Sequence, residues 1–375
     1  MAGIYIHIPF CKQKCSYCDF HFSTTFNNYR EVMIQSIAQE IIERRDYLEG
    51  KAINTIYFGG GTPSLLTREE LTLILQTIRE QFAINDEVEI SLEANPDDIT
   101  VDALELWKSI GVNRLSIGLQ SFRKEDLEWM NRAHSVEEAT NCVHEVKQSG
   151  FENITVDLIY GLPNLSLDEW EKHVQTVIDF QVPHISAYCL TIEKGTALNN
   201  WVNNGKIVPA SEDQQSDQFN LLVELLEKNG YQQYEISNFA KPGYESRHNS
   251  NYWKGEWYLG VGPSAHSFNG VSRAWNVANN QRYIKAIESN DVCCTTEILS
   301  PENQFNEYIL TGLRTVYGVE LRKLKTIAPL SNEFTSNCDQ FIQKEWMLND
   351  KGILVLTKEG RLRADHIAAE LFMNG

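Results

Sequence analysis

The chain alternates short apolar runs with longer amphipathic stretches from residue 3 to about residue 230. The apolar runs are rich in Ile, Val, Leu and Tyr, a composition that predicts buried or half-buried β-strands. These predicted strands cover residues 3–8, 52–58, 87–93, 112–118, 154–160 and 184–190. The amphipathic stretches place apolar residues at helical spacing. The predicted helices cover residues 29–48, 67–82, 100–110, 136–149, 166–180 and 212–228.

Local signals at the helix ends support this assignment. Thr67 is followed three residues later by Glu70, which is the pattern of a capping box at a helix start. Gly111, Gly150 and Gly230 lie just past three predicted helices, where glycine commonly ends a helix. The first 230 residues therefore read as six successive strand–helix units.

Six strand–helix units require a parallel sheet with helical crossovers, and so an α/β fold. The unusual residues of the chain fall just after successive strands, one group per strand. Barrels and open α/β sheets both place their sites at that end of the strands. We favour a partial (β/α)6 barrel over residues 1–230 rather than a flat, doubly wound sheet.

The remainder of the chain does not follow this alternation of strands and helices. Residues 231–298 are dense in aromatic residues, Gly, Asn and Pro, which predicts irregular strands and loops near the site. Residues 299–375 restart with predicted helices at 302–317 and 331–344, followed by a hairpin pattern at 353–357 and 361–364. Helices followed by a hairpin predict a winged-helix-like α+β domain. Arg361 and Arg363 could form a DNA-contacting wing, but we favour a structural hairpin.

The charge of the chain restricts its partners. Its 375 residues include 33 Lys and Arg against 51 Asp and Glu, a formal charge of −18. This balance argues against broad binding to nucleic acid or anionic membranes, since both would repel the protein. The chain contains no run of about 18 apolar residues, so we expect no transmembrane helix. The first residues lack the basic and apolar regions of a signal peptide, so we expect a cytoplasmic protein.

Eight cysteines in a cytoplasmic chain are expected to be reduced rather than paired in disulfides. We expect the scattered Cys142, Cys189 and Cys338 to be small buried hydrophobes. The adjacent Cys293 and Cys294 cannot point the same way in an extended strand, because successive side chains alternate. No role is assigned to this pair.

Cys11, Cys15 and Cys18 form a C-x3-C-x2-C run directly after the first predicted strand. Structural zinc sites need four ligands, usually from two C-x2-C pairs, and no second pair exists here. A [4Fe–4S] cluster normally takes four cysteines, so three thiolates leave one iron open to a small molecule. We favour this cluster over a zinc site or a purely structural loop.

The cysteine run, with Tyr17 before its last member, resembles the signature of the radical SAM superfamily. In that family the open iron binds the amino and carboxylate groups of S-adenosylmethionine, which an electron from the cluster cleaves to a 5′-deoxyadenosyl radical. The Gly-Gly-Gly-Thr-Pro sequence at 59–63 agrees, because glycine lets the backbone approach a ligand closely. The resemblance implies that Gly60, Gly61 and Thr62, together with Tyr17, contact S-adenosylmethionine.

Nearly the whole chain resembles the group that contains the oxygen-independent coproporphyrinogen dehydrogenases (HemN) and the heme chaperones (HemW). The resemblance implies that Tyr5 lies against the ligand bound to the cluster. Four further positions are implied to hold S-adenosylmethionine: Glu93, Gln120, Arg132 and Asp157. Carboxylates suit ribose hydroxyls or an ammonium group, and Arg suits a carboxylate. From the residues alone, a buried acid at a strand end could equally cap a neighbouring helix.

Two departures separate the chain from the dehydrogenases. Their motif continues with a fourth cysteine two residues after the third, where this chain has Phe20, and they carry a long extension before the cysteines. Here ten residues precede Cys11. In contrast, the sequence at 248–253 matches the H-N-x-x-Y-W motif of the heme chaperones, which implies that His248 is a heme ligand. The alternative is a buried aromatic cluster with one hydrogen-bonded histidine, and His266 is the reserve ligand.

The resemblance therefore implies a heme chaperone that carries a [4Fe–4S] cluster and S-adenosylmethionine and passes heme to an acceptor hemoprotein, such as a respiratory-chain protein. A homodimer linked through heme is left open. The first alternative is an enzyme that oxidatively decarboxylates coproporphyrinogen by hydrogen abstraction. The second is a transcription factor that uses the C-terminal wing and a redox-sensing cluster, although we expect no nucleic-acid binding.

Overall fold

The six predicted strands form the centre of a twelve-stranded sheet in the computed structural model, which describes residues 1–373. The strands are β1 (Ala2–Ile8), β2 (Ile53–Gly60), β3 (Ile84–Ala94), β4 (Arg114–Gln120), β5 (Asn153–Tyr160), β6 (His184–Cys189), β7 (Gln232–Glu235), β8 (Asn238–Ala240), β9 (Trp257–Val261), β10 (His266–Phe268), β11 (Ser272–Asn276), β12 (Cys294–Ile298), β13 (Val319–Glu320), β14 (Met347–Asp350) and β15 (Ile353–Leu356). The α-helices are α1 (Arg30–Glu43), α2 (Arg68–Gln81), α3 (Val101–Ile110), α4 (Lys124–Trp129), α5 (Val136–Gln148), α6 (Leu167–Asp179), α7 (Ala197–Asn203), α8 (Glu212–Lys228), α9 (Arg247–Lys254), α10 (Asn280–Glu288), α11 (Pro301–Leu313), α12 (Leu321–Ile327), α13 (Asn332–Gln343), α14 (Lys358–Arg361) and α15 (Ala364–Glu370). Over residues 1–373, no helix is long and apolar enough to cross a membrane.

All six strands and six helices predicted before residue 230 are present, with their ends shifted by a few residues. The capping box predicted at α2 is confirmed, because Thr67 Oγ1 accepts from the Glu70 N–H and the Glu70 side chain accepts from the Thr67 N–H. The helix α3 ends at Gly111, whose φ of 102° is a left-handed conformation that favours glycine. The short helices α4 and α7 were not predicted.

Strands β1 to β6 are parallel and adjacent in chain order. Because each right-handed crossover places its helix on the same face, the sheet curves with the helices outside. The edge strands β7 and β12 are not paired with each other in the described part of the chain, so the barrel is open. The predicted partial (β/α)6 barrel is thus confirmed.

The first strand shows how the barrel wall separates core from lumen. Ile4, Ile6 and Ile8 have no exposed surface and pack in the core beneath the helices. Tyr5 and His7 alternate with them, as side chains on a strand must, and point to the opposite face. The lumen of the barrel is therefore lined by polar and aromatic side chains.

Residues 231–298 are more regular than the sequence predicted. Strand β9 pairs in parallel with β1, and β10, β11 and β12 continue the sheet by antiparallel pairing. Strands β8 and β7 extend the opposite edge beyond β6. The H-N-x-x-Y-W sequence forms helix α9 rather than a loop. The aromatic-rich segment therefore widens the sheet at both edges.

The C-terminal residues form a separate hydrophobic core around a small antiparallel sheet in the order β13-β15-β14. Helix α11, strand β13, helices α12 and α13, and the β14–β15 hairpin follow one another along the chain, which is a winged-helix-like α+β arrangement. The proposed boundaries at 230 and 298 remain predictions.

The predicted position of the C-terminal hairpin was wrong. The hairpin joins β14 to β15 through Lys351 and Gly352, which both have positive φ (53° and 93°), as a tight two-residue hairpin turn requires. The segment expected to be the turn is instead helix α14, capped by the Thr357 side chain. The Arg361 side chain bonds to Gln233 on β7, so it is not part of a DNA-contacting wing.

Neither arginine of the predicted wing lies on a hairpin. Arg363 begins the last helix, and its guanidinium lies 4.8 Å from the ring centroid of Trp346. A guanidinium over an aromatic face is a packing arrangement. The hairpin that formed the basis of the transcription-factor alternative is therefore absent from this position.

Candidate functional site

The cysteine-containing loop leaves the carboxyl end of β1 and is fixed to its surroundings by backbone hydrogen bonds. The Cys11 N–H donates to Ser23 O at 3.1 Å, which closes the loop on itself. The Ser16 N–H donates to Met130 O at 3.0 Å, and Ser16 O accepts from the Leu198 N–H at 2.8 Å. The loop is therefore held between the α4–α5 connection and α7.

A chain of hydrogen bonds connects two of the three cysteines across the barrel mouth. Thr62 Oγ1 donates to Cys11 Sγ at 3.4 Å and accepts from Asn95 Nδ2 at 3.4 Å. Arg132 donates from Nη2 to Asn95 Oδ1 at 2.6 Å and from Nη1 to Cys15 Sγ at 3.4 Å. The structure thus brings together Cys11, Cys15, Thr62 and Arg132, four residues predicted from three separate motifs.

Asn95 was missed by the sequence analysis. It follows Glu93 by two residues at the end of β3, so both side chains face the lumen. That spacing was a signal available in the sequence. Its amide can donate and accept at once, which lets it join Thr62 to Arg132.

The glycines after β2 allow two segments of backbone to touch. The Gly61 N–H donates to Ile8 O at 2.8 Å, and a Cβ at this position would lie 2.6 Å from Phe10 O. Gly60 has a φ of 103°, and a Cβ there would lie 2.6 Å from the His7 ring. Any larger residue would push this segment away from the cysteine loop, so the glycines form part of the site's wall.

Gln120 ends β4 in a strained conformation, with a φ of 69° that non-glycine residues seldom adopt. Its side chain folds back over Gly118, where a Cβ would lie 2.7 Å from Gln120 Nε2 and 3.3 Å from Arg132 Nη2. Gln120 and Arg132 are therefore neighbours at the barrel mouth. The buried Nε of Arg132 has no hydrogen-bond partner among residues 1–373, which leaves one donor for a ligand.

The carboxyl groups of Glu93 on β3 and of Asp157 on β5 point into the lumen. Desolvation raises the pKa of Glu93 to about 7, although Tyr57 Oη donates to Glu93 Oε1 at 2.8 Å. Desolvation also raises the pKa of Asp157 to about 6, and the Ser116 hydroxyl lies 3.1 Å from one carboxyl oxygen. The two carboxyls repel each other. Such groups favour a ligand that brings positive charge or hydroxyl donors.

Aromatic rings fill the lumen between these groups and its other end. The rings of Tyr5 and Tyr57 are stacked with centroids 6.1 Å apart. Tyr5 Oη lies 3.2 Å from His7 Nδ1. Tyr17 lies beside Arg132, and burial raises its pKa well above its ordinary value, so the phenol is neutral. Tyr17 therefore lies at the barrel mouth beside Arg132, and Tyr5 lies deeper in the lumen between His7 and Tyr57.

Helix α9 closes the amino-terminal end of the lumen. The Glu89 carboxylate accepts from the N–H groups of Arg247 (3.2 Å) and His248 (3.0 Å) at the start of the helix. The Arg247 guanidinium donates to Glu87 O at 2.7 Å and to Asn54 O at 3.2 Å. The helix is thus fixed to the start of β2 and to the middle of β3.

Both ring nitrogens of His248 are engaged in hydrogen bonds. Nδ1 lies 2.8 Å from Thr55 Oγ1, and Nε2 lies 2.8 Å from Tyr252 Oη. The residue is 1% exposed, and burial lowers its pKa to about 3, so the ring is neutral. Its ring stacks on Tyr57 at 4.9 Å. The structure does not bring His248 to the cysteine loop. In contrast, His266 is exposed and stacks on Trp275.

Two cavities border the cysteine loop on its outer side. The first, of about 390 Å³, is lined by Cys18, Lys14 and Phe20 among others. Phe20 is 67% exposed, so its side chain does not contribute to the core. The second cavity, of about 720 Å³, is lined by Cys15, Lys14 and Trp129 among others. The loop is thus reachable from solvent.

The donor set at the barrel mouth fits a [4Fe–4S] cluster with an amino-acid ligand on its open iron. Burial raises the pKa of Cys11 to about 12 and that of Cys18 to about 11, so iron binding would release their protons. In the described part of the chain, no three His, Cys, Asp or Glu side chains are close enough to bind a single metal ion. A cubane cluster does not require this, because each thiolate binds a different iron.

Known proteins resemble this chain in sequence over most of its length. The family model of the radical SAM superfamily matches residues 5–177. The heme chaperone HemW of Bacillus subtilis is 33% identical over 98% of both chains. The heme chaperone HemW of Escherichia coli is 37% identical over 70% of this chain and 69% of its own.

One solved structure has the same fold over almost the whole chain. The coproporphyrinogen III oxidase HemN of Escherichia coli matches with a TM-score of 0.86 and 22% identity, covering 99% of this chain and 90% of the other. At that identity the match establishes the fold alone. The near-complete alignment with the Bacillus relative confirms the resemblance expected from the motifs, and the chain therefore belongs to the HemW family of the radical SAM superfamily.

Proposed function

We propose that this protein is a heme chaperone that binds heme and transfers it to an acceptor hemoprotein. The observation that carries the proposal is the 33% identity to a heme chaperone over 98% of both chains. Phe20, which stands where the dehydrogenases of the superfamily have a fourth cysteine, supports it. We extend the proposal to a cytoplasmic protein whose acceptor is a respiratory-chain hemoprotein, with heme-linked dimerisation as one form of the complex.

In this proposal Cys11, Cys15 and Cys18 would hold three irons of a [4Fe–4S] cluster, which would leave the fourth iron open to S-adenosylmethionine. When bound, the cluster would supply the electron for the cleavage of S-adenosylmethionine. Arg132, whose Nε has no hydrogen-bond partner among residues 1–373 and whose guanidinium contacts Cys15, would pair with the carboxylate of S-adenosylmethionine. The Gly60 segment would accommodate its amino end, as a wall without side chains allows.

The remaining lumen residues would hold the nucleoside part. Asp157 and Glu93 offer carboxyl oxygens to ribose hydroxyls, and Gln120 can donate and accept beside them. Tyr5 offers a flat face to the bound ligand. Thr62 would contact the ligand from the side of Cys11, to whose sulfur it donates a hydrogen bond.

The proposed heme ligand is His248, and its surroundings define what heme binding requires. The Tyr252 hydroxyl must leave Nε2 before that nitrogen can reach an iron. Thr55 would keep its bond to Nδ1 and fix the ring's orientation, as partners of metal-bound histidines do. The nearby Tyr252 and Trp253 would then offer aromatic faces to the porphyrin.

The test is a hemin titration of the anaerobically reconstituted protein, followed by the Soret band. We expect saturation near one heme per chain and loss of the band in His248→Ala. Tyr252→Phe removes the competing hydrogen bond, worth about 1 kcal/mol, and should tighten binding about fivefold. The matched control is His266→Ala, an exposed histidine that should leave binding unchanged.

The outcomes separate the function from the ligand assignment. Equal binding by the parent and His248→Ala would reject His248 as the ligand and retain the chaperone. Loss of binding in His266→Ala alone would move the ligand to that residue. No specific binding by the parent would reject the chaperone proposal itself.

Oxidative decarboxylation of coproporphyrinogen is the second candidate function. The observation that favours it is the polar lumen, in which the Glu93 and Asp157 carboxyls interact and Asp157 also interacts with Arg132, the residue that contacts Cys15. Incubation with coproporphyrinogen, S-adenosylmethionine and a reductant would distinguish the two. We expect no decarboxylated product; product formed with turnover would favour the enzyme.

A further inference from the structure

The smaller cavity beside the cysteine loop, which we call the Phe20 cavity, has a volume of about 390 Å³. Cavities that bind small molecules usually have about 300–1,000 Å³. Three segments line it: the cysteine loop with Lys14, Cys18 and Phe20, residues 22–25, and residues 194–196 at the start of α7. The cavity therefore borders the loop that would carry the cluster, but it contains none of the residues proposed to bind S-adenosylmethionine or heme.

Backbone hydrogen bonds hold these three segments together. The Ser23 N–H donates to Pro9 O at 2.9 Å, and Ser23 O accepts from the Cys11 N–H at 3.1 Å. The Leu198 N–H donates to Ser16 O at 2.8 Å, which joins α7 to the cysteine loop. The cavity is thus preformed by the fold. A ligand that enters a preformed cavity does not have to order its walls, which would cost free energy.

The charges that line the Phe20 cavity are opposite in balance to those of the whole chain. Lys14 and Lys194 both line it and are both exposed. Within residues 1–373 neither ammonium group takes part in an ion pair, unlike that of Lys12, which lies 2.7 Å from an Asp97 carboxyl oxygen. Asp19 is the only acid among the described residues of the lining. Two cations against one acid, in a chain with a formal charge of −18, favour an anionic ligand.

Hydroxyl groups and aromatic rings complete the lining. Residues 23–25 are Ser-Thr-Thr, and each hydroxyl can donate to an oxygen of an anion. Phe20 and Phe22 line the same cavity, and Phe20 is 67% exposed. A single exposed aromatic residue is ordinary on a protein surface. Beside two cations and three hydroxyls, however, the two rings offer an apolar surface to a planar group on the same anion.

We propose that the Phe20 cavity binds a phosphate monoester that carries a planar ring, which is the chemical class of the mononucleotides. The phosphate would pair with the ammonium groups of Lys14 and Lys194 and accept from the hydroxyls of residues 23–25. The planar ring would cover Phe20. Flavin mononucleotide and adenosine monophosphate share this chemistry and are two sources of it. The inference concerns the outer side of the cysteine loop and does not depend on heme binding.

The test is equilibrium dialysis of the cluster-loaded protein against flavin mononucleotide, under anaerobic conditions and in the dark. Free flavin is measured by its fluorescence in the chamber without protein. We expect saturable binding of about one flavin mononucleotide per chain. Riboflavin has the same ring without the phosphate, so it should bind more than about tenfold more weakly. Adenosine monophosphate as a competitor separates the two sources: displacement of the flavin assigns a general mononucleotide site, and no displacement assigns a flavin site.

Two variants test the two parts of the cavity. Lys194→Met lies outside the cysteine loop and should weaken flavin mononucleotide binding about three- to fivefold, the effect of one exposed ion pair, without changing riboflavin binding. Phe20→Ala should weaken the binding of both flavins by a similar factor of about five. The matched control is Lys325→Met, an exposed lysine on α12 that should change neither affinity. Iron content, measured on the same samples, shows that the loop is intact.

Four results would overturn the proposal: binding that does not saturate, equal affinities for riboflavin and flavin mononucleotide, an unchanged affinity in Lys194→Met, or displacement of the flavin by an equimolar amount of hemin. Heme binding is measured separately by the Soret band. Absence of flavin binding with a normal hemin titration therefore rejects this site alone, whereas flavin binding without hemin binding rejects the heme chaperone alone.

Discussion

The two ends of the barrel lumen are built differently. At the carboxyl end, Arg132 keeps a buried donor without a protein partner within the described residues, and glycines leave the backbone bare. At the amino end, both nitrogens of His248 are bonded and Glu89 caps the helix that carries it. Unsatisfied groups are costly unless a ligand completes them, so the carboxyl end is prepared for a ligand. At the amino end a ligand of His248 must displace its existing bonds, although Ser250 Oγ and Trp253 Nε1 on the same helix are buried without a partner among residues 1–373.

This contrast separates two motifs that look equally functional in the sequence. The cysteine loop and the H-N-x-x-Y-W helix both combine unusual residues in a short span. The cysteine loop borders two cavities. The H-N-x-x-Y-W helix closes the lumen and contacts the C-terminal region, where the Arg314 guanidinium lies 5.4 Å from the Trp253 ring. The predictions below test each end separately.

Removal of any cysteine of the loop should have the largest effect. Replacing Cys11, Cys15 or Cys18 by Ala leaves two thiolates, too few to hold the cluster, and the iron content of reconstituted protein should fall more than about tenfold. The measurement is iron and sulfide per chain. Cys189→Ala, outside the loop, serves as the control and should retain the parent's iron content.

Breaking the cap of α9 should have the next largest effect, on stability. Glu89→Ala leaves two buried N–H groups without an acceptor, and the free energy of unfolding should fall by about 2–3 kcal/mol. Urea unfolding measures the change. The control is Glu87→Ala, whose exposed side chain takes no part in the cap. Equal stability of the two variants would contradict the assignment of Glu89 as the anchor.

Arg132→Met should weaken S-adenosylmethionine binding by about 10- to 100-fold, the value of a charge-assisted hydrogen bond. Equilibrium dialysis with cluster-loaded protein measures the affinity. Iron content is determined on the same sample, because Arg132 also contacts Cys15. As the control, Lys124→Met removes an exposed charge and should change neither the affinity for S-adenosylmethionine nor the iron content. Unchanged affinity in Arg132→Met, with full iron content, would reject its role.

The smallest expected effect is a pH dependence of stability caused by Glu93. Its folded pKa of about 7 lies above the ordinary value of 4.5, so the folded state favours the protonated form. The corresponding stability is present below pH 4.5 and is lost as the pH rises through 7. Glu93→Gln should remove this loss, and the ligand-free variant should exceed the parent by about 1–2 kcal/mol at pH 8. At pH 4.5 urea unfolding should show little difference.

The sequence was most informative where signals are local. Capping boxes and terminal glycines act within one helical turn, so α2 and α3 could be located closely. It was least informative at residues 350–364, where Lys351 and Gly352 form the hairpin turn and Thr357 starts a helix. The Asp-Lys-Gly sequence there was a usable turn signal. The prediction instead followed a weaker turn pattern several residues later.

Site residues were predictable when a motif placed them after a strand. Asn95 was missed although it shares a strand face with Glu93. The environment of His248 could not be predicted, because Thr55 and Tyr252 reach its two nitrogens from a distant strand and from the next turn of its helix. No local pattern encodes which side of a helix meets a lumen.

The sequence by itself determined the strand–helix alternation, the three-cysteine loop and the membership of a family, since each depends on residues close together or on an extended match. Only the tertiary structure decided that β9 joins β1 and that α9 closes the lumen. These features depend on contacts between segments far apart in the chain. Their free energy comes from packing and hydrogen bonds that exist only after the barrel has formed.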